Sequence, residues 1–249
     1  MGYEGPTVKS ANPRLRASVD AAIEARQVYV DLQPVVELAT GKVYGYEALA
    51  RCRRASLASP RQLFAQAYDQ GALVRLGREL RRLAIVAVGG ARLFFNLHPD
   101  VLDDAEILRD DDPLAQHAGE LVLEVPESAS LHHYRFAYAN LATLRGRGVR
   151  IALDDFGAGA SNFSYIAQLA PELVKLDREL IAGASLHSRQ FRLLSSLNAL
   201  CTAQGARVIA EGVETAGELA AVIAAGVPYA QGFYLGRPSA TGAPTWTPS

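Results

Sequence analysis

The chain has 249 residues, with 25 basic against 26 acidic side chains and 49% hydrophobic residues. That length and apolar content suit one barrel-sized domain with a substantial core and exclude global disorder. The net charge of −1 gives no overall pull toward a nucleic-acid polymer or a membrane surface, and two cysteines outside any Cys-x-x-Cys pair argue against a disulfide framework or a thiolate zinc site.

Residues 1–11 are polar and contain Gly5-Pro6, the composition of a flexible linker. No apolar run is long enough to span a bilayer and the start is not a signal peptide, so the expectation is no direct membrane insertion. The location expected is the cytoplasm, or the cytoplasmic part of a larger membrane-associated protein. Strand-like runs follow at Val28–Leu38, Val43–Ala50, Arg92–Leu97, Glu120–Val125, Val149–Leu153, Leu173–Leu176, Ala206–Ala210 and Tyr229–Leu235. Between them Pro60–Val88, Tyr134–Arg145 and Arg189–Ala203 carry helical spacing, and Gly146/Gly148, Gly205 and Gly226 mark helix ends. Residues 12–238 thus predict one α/β domain, either a (β/α)8 barrel or a doubly wound sheet, and residues 239–249 a loose tail. Only Ala39–Lys42 separates the first two runs. No parallel crossover fits in that turn, so this pair is predicted antiparallel.

Polar residues fall at the strand ends. Glu47 interrupts the second run, Asn96 closes the third and Glu124 follows Leu121-Val122-Leu123. Asp154 and Asp155 end the fifth, Lys175 and Asp177 the sixth, and Glu211 follows Val208-Ile209-Ala210. One acid after a strand is ordinarily a cap or an ion-pair partner. A whole series is different, because in a barrel the C-terminal strand ends meet at one mouth, where lone buried charges are costly. An all-oxygen set suits Mg²⁺, Mn²⁺ or Ca²⁺ rather than a soft-ligand metal.

Several motifs then carry a family resemblance. Gln33-Pro34-Val35-Val36, Gly45-Tyr46-Glu47-Ala48-Leu49-Ala50-Arg51, Asn96-Leu97-His98-Pro99 and Leu123-Glu124-Val125-Pro126-Glu127-Ser128 come first. Ile151-Ala152-Leu153-Asp154-Asp155-Phe156-Gly157, Val174-Lys175-Leu176-Asp177-Arg178, Val208-Ile209-Ala210-Glu211-Gly212-Val213-Glu214-Thr215 and Ala230-Gln231-Gly232-Phe233-Tyr234-Leu235-Gly236-Arg237-Pro238 follow in order. This set resembles the EAL-domain family of cyclic di-GMP phosphodiesterases and related cyclic di-GMP receptors, from about Leu15 to Pro238.

The resemblance implies a modified (β/α)8 TIM-like barrel with one strand reversed near the N-terminus, and metal-dependent hydrolysis of cyclic di-GMP to linear pGpG. It implies Mg²⁺ or Mn²⁺, two ions when active: one on Glu47, Asn96, Glu124 and Asp154, the other on Asp154, Asp155 and Glu211 with Asp177. Lys175, Glu211 and Glu214 become the catalytic set, with Glu214 orienting Lys175 or a water. Gln33, Leu49, Arg51, Gln231 and Pro238 become substrate-binding residues, Arg51 through its planar fork on a phosphate. Glu127, Gly157, Ala158, Gly159 and Ala160 form a regulatory loop. A homodimer, and sensor or output domains in a longer protein, are further partners the resemblance implies.

Departures concentrate at that loop. Ala158 stands where active members usually have Thr, Ala160 where they have Tyr, and Asn162 where they have Ser. Pro126 replaces Thr ahead of Glu127, removing an N–H and a hydroxyl. Cys52 replaces a common Trp, and His98 a common Ser. Two functions therefore stand side by side: hydrolysis, favoured by the complete acid, Asn and Lys set, and a weakly active or inactive cyclic di-GMP receptor signalling through a partner.

Overall fold

The alternation read from the sequence becomes a ring of strands joined by helices. The computed structural model describes residues 13–129, 131–158 and 163–246. The predicted linker at 1–11, and Gly159, Ala160 and Asn162, lie outside them. In chain order the strands are β1 (Val28–Glu37), β2 (Val43–Cys52), β3 (Leu93–Asn96), β4 (Leu121–Pro126), β5 (Arg150–Phe156), β6 (Leu173–Leu176), β7 (Arg207–Ala210) and β8 (Tyr229–Ala230). The helices are α1 (Pro13–Glu24), α2 (Pro60–Asp69), α3 (Leu73–Val88), α4 (Pro99–Leu102), α5 (Ala137–Gly146), α6 (Phe163–Leu169), α7 (Arg178–Ile181), α8 (Arg189–Ala203) and α9 (Ala216–Ala224).

The eight strands close into a barrel in sequence order. β2 to β8 are mutually parallel, and β1 meets β8 antiparallel through Val36↔Ala230 and Glu37↔Tyr229. The reversed strand expected from the short first turn is β1. Two details differ from the sequence expectation. The helix expected over Pro60–Val88 is broken after Asp69, because Gly71 adopts φ +64°, a left-handed conformation that ends a helix. The last strand stops at Ala230, since Gly232, at φ +158°, lies so close to Val213 that a Cβ there would fall 2.2 Å from its backbone.

Contacts gather into two compact units, Met1–Tyr29 with Ala50–Leu80, and Val30–Leu49 with Arg81–Ser249. In the smaller unit Val19 N donates to Gln70 Oε1 at 3.2 Å, and Arg75 pairs with Asp20 and Glu24 at 2.9 and 3.2 Å. Leu57, Leu63, Leu76 and Leu80 form part of its buried apolar content.

The larger unit is organised in layers. Val35, Phe94, Val122, Ala152, Leu173, Ile209 and Tyr229 form one buried cluster, a single apolar residue from seven of the eight strands. β2 has no large side chain at this level: a Cβ on Gly45 would fall 2.9 Å from the Phe94 ring and from Arg92 O, so glycine leaves the room that Phe94 fills. At one end of this cluster Tyr44 stacks on Tyr229, with ring centroids 4.1 Å apart. Arg207 donates to the hydroxyls of both tyrosines, and Arg92 lies over the Tyr44 ring while pairing with Glu120 at 2.8 Å. That end is closed by paired cations and rings, and the polar layer lies at the other.

The chain after Pro238 returns to the barrel where composition alone suggested looseness. Ser239 and Leu32 exchange backbone hydrogen bonds, and Thr245 N donates to Leu235 O at 2.8 Å. Exposed backbone on β1 offers partners that side-chain composition does not reveal.

Outside the barrel the larger unit holds one fully desolvated ion pair. Arg81 on α3 grips Asp112 with Nε at 3.1 Å and Nη2 at 2.6 Å, and both side chains are 1% exposed. Asp112 also accepts from Leu114 N, so it caps the turn that leads toward β4. Removing the acid strands a buried guanidinium. Asp112→Ala should therefore cost about 3–5 kcal/mol in urea unfolding, and adding Arg81→Met should recover most of the loss. A loss that is unchanged in the double variant would contradict this account.

Candidate active site

The polar layer follows from strand geometry. Side chains two residues apart on a strand face the same way, so each parallel strand that contributes to the apolar cluster presents its next inward residue one step nearer the C-terminal mouth. From Phe94, Val122, Ala152, Leu173, Ile209 and Tyr229 that step reaches Asn96, Glu124, Asp154, Lys175, Glu211 and Gln231. On the reversed β1 the step runs backward, from Val35 to Gln33. Glu47 on β2 stands two residues beyond Gly45.

Lys175 is the hub. Its Nζ lies 2.6 Å from Glu124 Oε1, 2.8 Å from Glu211 Oε1, 2.9 Å from Asp154 Oδ1 and 3.5 Å from Glu47 Oε2. Lys175 is 1% exposed and Glu124 0%, so these charges interact in a poorly screened medium. Burial pushes the Lys175 ammonium down, but Asp154, Glu124, Glu211 and Glu47 together outweigh it and hold it well above its ordinary value. The ring of amides completes the layer. Asn96 Nδ2 donates to Glu47 Oε1 at 2.7 Å, Gln231 Nε2 donates to Glu47 Oε2 at 2.7 Å and to Gln33 Oε1 at 3.0 Å, and Gln33 Nε2 donates to Gly236 O at 3.1 Å.

One ammonium among four carboxylates leaves a deficit of positive charge. Burial, then Glu47, raises the Glu124 carboxyl well above 4.5, with Lys175 opposing and Asp154 adding. Burial likewise lifts Glu211 to about 8, with Lys175 opposing and Asp154 and Glu47 adding. Glu124 Oε2 has no hydrogen-bond partner among the described residues. A divalent cation bound by these oxygens would remedy both features, and the donor set is the hard, all-oxygen kind that suits Mg²⁺, Mn²⁺ or Ca²⁺.

A second group forms at the end of β5. In a regular strand Asp154 and Asp155 would face opposite sides. Here the register against β6 slips between Leu153 and Phe156, and Asp155 takes φ +54°. This bulge, with a non-glycine residue in the left-handed region, turns the second carboxylate back. Carboxylate oxygens of Asp154, Asp155 and Glu211 lie within 4.8 Å of one another. Burial, then the neighbouring Asp154, raises Asp155 to about 6.

The other expected residues separate. Asp177 Oδ1 accepts from Glu179 N at 2.7 Å and caps α7. Glu214 lines the mouth cavity but pairs with Arg178 at 2.8 Å, not with Lys175. The carboxylate is half-exposed and is held by the guanidinium beside it. Leu49 is half-buried on β2, and Pro238 precedes the bridge of Ser239 to Leu32. Arg51 belongs to the smaller unit and donates from Nη1 to Ala50 O at 3.0 Å. Glu127 does hold the loop: its N–H donates to Asp154 O at 2.9 Å, and its Oε2 accepts from Gly157 N at 3.1 Å. Gly157, at φ +101°, packs on Leu180, and Ala158 is exposed.

Two departures have structural answers. Alternation along β4 turns the Pro126 nitrogen toward β3, which has already ended at Asn96, so no ladder bond is lost there. His98 Nδ1 accepts from Asp100 N at 3.2 Å and caps α4, the work of the serine it replaces. Arg178 lies within a motif whose spacing assigns it no role. Its signal was position, immediately after the strand-end Asp177.

The sequence profile described as "EAL domain" matches residues 16–238. The chain belongs to the EAL domain family. It is similar to the bifunctional diguanylate cyclase/cyclic di-GMP phosphodiesterase MucR of Pseudomonas aeruginosa, 30% identical over 236 residues, covering 87% of this chain and 34% of that protein. Among solved structures, the PaMucR phosphodiesterase c-di-GMP complex superposes with a TM-score of 0.77 at 29% identity, covering 91% of this chain and 97% of that one. The calcium/cy-diGMP complex of Klebsiella pneumoniae BlrP1 gives 0.75 at 30% identity, covering 88% of this chain and 57% of that one. A manganese complex of BlrP1 is also known. This EAL chain spans 29% to 34% of the length of four curated relatives that it matches. No helix among its described residues is long and apolar enough to cross a membrane.

The raised acids set a pH dependence for the metal-free protein. Glu211 titrates near 4.5 in an ordinary carboxyl environment and at about 8 when folded, so the folded state binds its proton more tightly. Its contribution to stability is complete below the lower value and is lost as pH rises through the higher one. Denaturant unfolding with chelator present should show wild type losing stability relative to Glu211→Gln between about pH 4.5 and about pH 8. A difference that is flat across that window would contradict the buried, crowded setting of Glu211.

Proposed function

We propose that this EAL domain hydrolyses one phosphodiester bond of cyclic di-GMP, giving linear pGpG. The observation that carries the reading is the buried Lys175 ammonium held among Glu47, Glu124, Asp154 and Glu211 at the mouth of the strands. The relatives named for cyclic di-GMP hydrolysis supply the substrate.

In this reading Glu47, Asn96, Glu124 and Asp154 hold one Mg²⁺ or Mn²⁺, and Asp154, Asp155 and Glu211 hold another, with Asp177 contributing through its free carboxylate edge. When bound, such ions polarise a phosphoryl oxygen and lower the pKa of water. The chain's own groups do the rest. Lys175 is kept protonated by its acidic neighbours and offers a fixed positive charge to the phosphoryl group as negative charge builds there. Gln231 and Asn96 pin the two Glu47 oxygens, which fixes that ligand before substrate arrives. Glu127 ties Gly157 to the end of β5 and so holds the turn that carries Asp155. Water adds to phosphorus, one sugar oxygen leaves and takes a proton, and the ring opens. Gln33, Leu49, Arg51 and Pro238 serve the dinucleotide, and the chain acts as the cytoplasmic output part of a longer signalling protein that works as a homodimer.

Time-resolved nucleotide chromatography with Mg²⁺ or Mn²⁺ should show cyclic di-GMP converted to pGpG. Tight binding without product under both ions would replace hydrolysis by the receptor function. Glu47→Gln should lower kcat/KM by about a hundredfold or more while shifting the thermal midpoint little. Unchanged turnover in that variant would remove Glu47 from the site.

A further inference from the structure

The mouth cavity, of about 230 Å³, is lined by Glu47, Asp177, Glu211 and Glu214, with Arg178 as the only cation among its described lining residues. An anionic diester approaching those four acids meets repulsion unless positive charge is placed beside them. Lys175 lies deeper, and its single charge does not offset the four carboxylates around it. Arg178 stands at the rim, 55% exposed, and uses Nη2 on Glu214 Oε2 at 2.8 Å. Its Nε and Nη1 have no partner among the described residues, so N–H donors remain for a second acceptor.

Local stability does not account for this residue. A cation at the first position of α7 opposes the helix dipole, and an exposed ion pair contributes little. Its position is nevertheless tightly determined. Gly212 has φ +66°, and a Cβ there would fall 2.5 Å from Arg178 Cγ and 2.7 Å from its Cβ. The stem of Arg178 thus lies directly on the glycine between β7 and Glu214, which aims the guanidinium along the cavity rim.

We propose that Arg178 selects the anionic dinucleotide: while Nη2 positions Glu214, Nη1 donates to a non-bridging oxygen of the phosphate that is not being cleaved. This rests on the reading of the site as a cyclic di-GMP site. A second phosphate is what separates such a ligand from a simple diester, and a rim guanidinium is suited to count it.

Calorimetry of cyclic di-GMP binding to the full chain in Ca²⁺ tests the proposal, with Arg178→Met and Arg178→Lys each made in wild-type and Glu214→Gln backgrounds. The expected result is an affinity loss of about tenfold for Arg178→Met in both backgrounds, with partial recovery by Arg178→Lys. If the loss disappears in the Glu214→Gln background, Arg178 acts only by holding Glu214 and the phosphate contact is wrong. No loss in either background overturns the proposal outright. Should Arg178→Met unfold, the Lys variant carries the comparison: a smaller loss present in both backgrounds supports the phosphate contact, and affinity equal to wild type in both, or a loss confined to the wild-type background, overturns it. A wild-type chain that binds no cyclic di-GMP defeats the reading of the site itself, a result distinct from any change at Arg178.

Discussion

One buried ammonium holds the mouth of this barrel together. Lys175 reaches carboxylates on β2, β4 and β5 and the one that follows β7, so a single charge ties together strand ends that lie far apart in sequence. Without it the acids would repel one another in a medium that screens poorly; with it they still outnumber the positive charge. The excess appears as raised carboxyl affinities for protons at Glu124 and Glu211 and as an unpartnered oxygen on Glu124. A divalent cation held by these oxygens would relieve the same imbalance. Structure and chemistry therefore share one cause, the burial of more acid than one lysine neutralises.

Much of this was legible because strands have a period of two and parallel strands end together. Asn96, Glu124, Asp154, Lys175 and Glu211 each follow an apolar pair or run, and in the fold each lies one inward step above the apolar layer. The antiparallel β1 was legible from turn length. What was hidden depends on backbone detail that side-chain identity does not encode. Asp155 joins Asp154 only through a bulge and a left-handed residue. Gln33 enters the layer by counting backward along β1, and the tail after Pro238 is tied down largely by backbone groups. Glu214 pairs with Arg178, a contact between a helix start and the segment after β7 that no sequence spacing announces.

The departures from the family pattern alter the loop more than the ligands. Pro126 falls where β4 has lost its β3 neighbour, and His98 caps the helix that a serine would cap. Glu127 still binds Gly157, so the link between β4 and the end of β5 survives those changes. Ala158 contributes no side-chain hydrogen bond to that link. The substitutions therefore bear on how firmly the turn beyond Asp155 is held, while the charge cluster beneath it is complete.

The central claim is that this cluster is built to receive divalent cations. Titration with Mn²⁺ followed by electron paramagnetic resonance tests it without reference to any substrate. Wild type is predicted to bind two ions per chain, and Asp154→Asn, which alters the carboxylate shared by both groups, to bind none in the same range. Loss of free-ion signal that is equal in the two proteins, or no loss in either at millimolar Mn²⁺, would contradict the account.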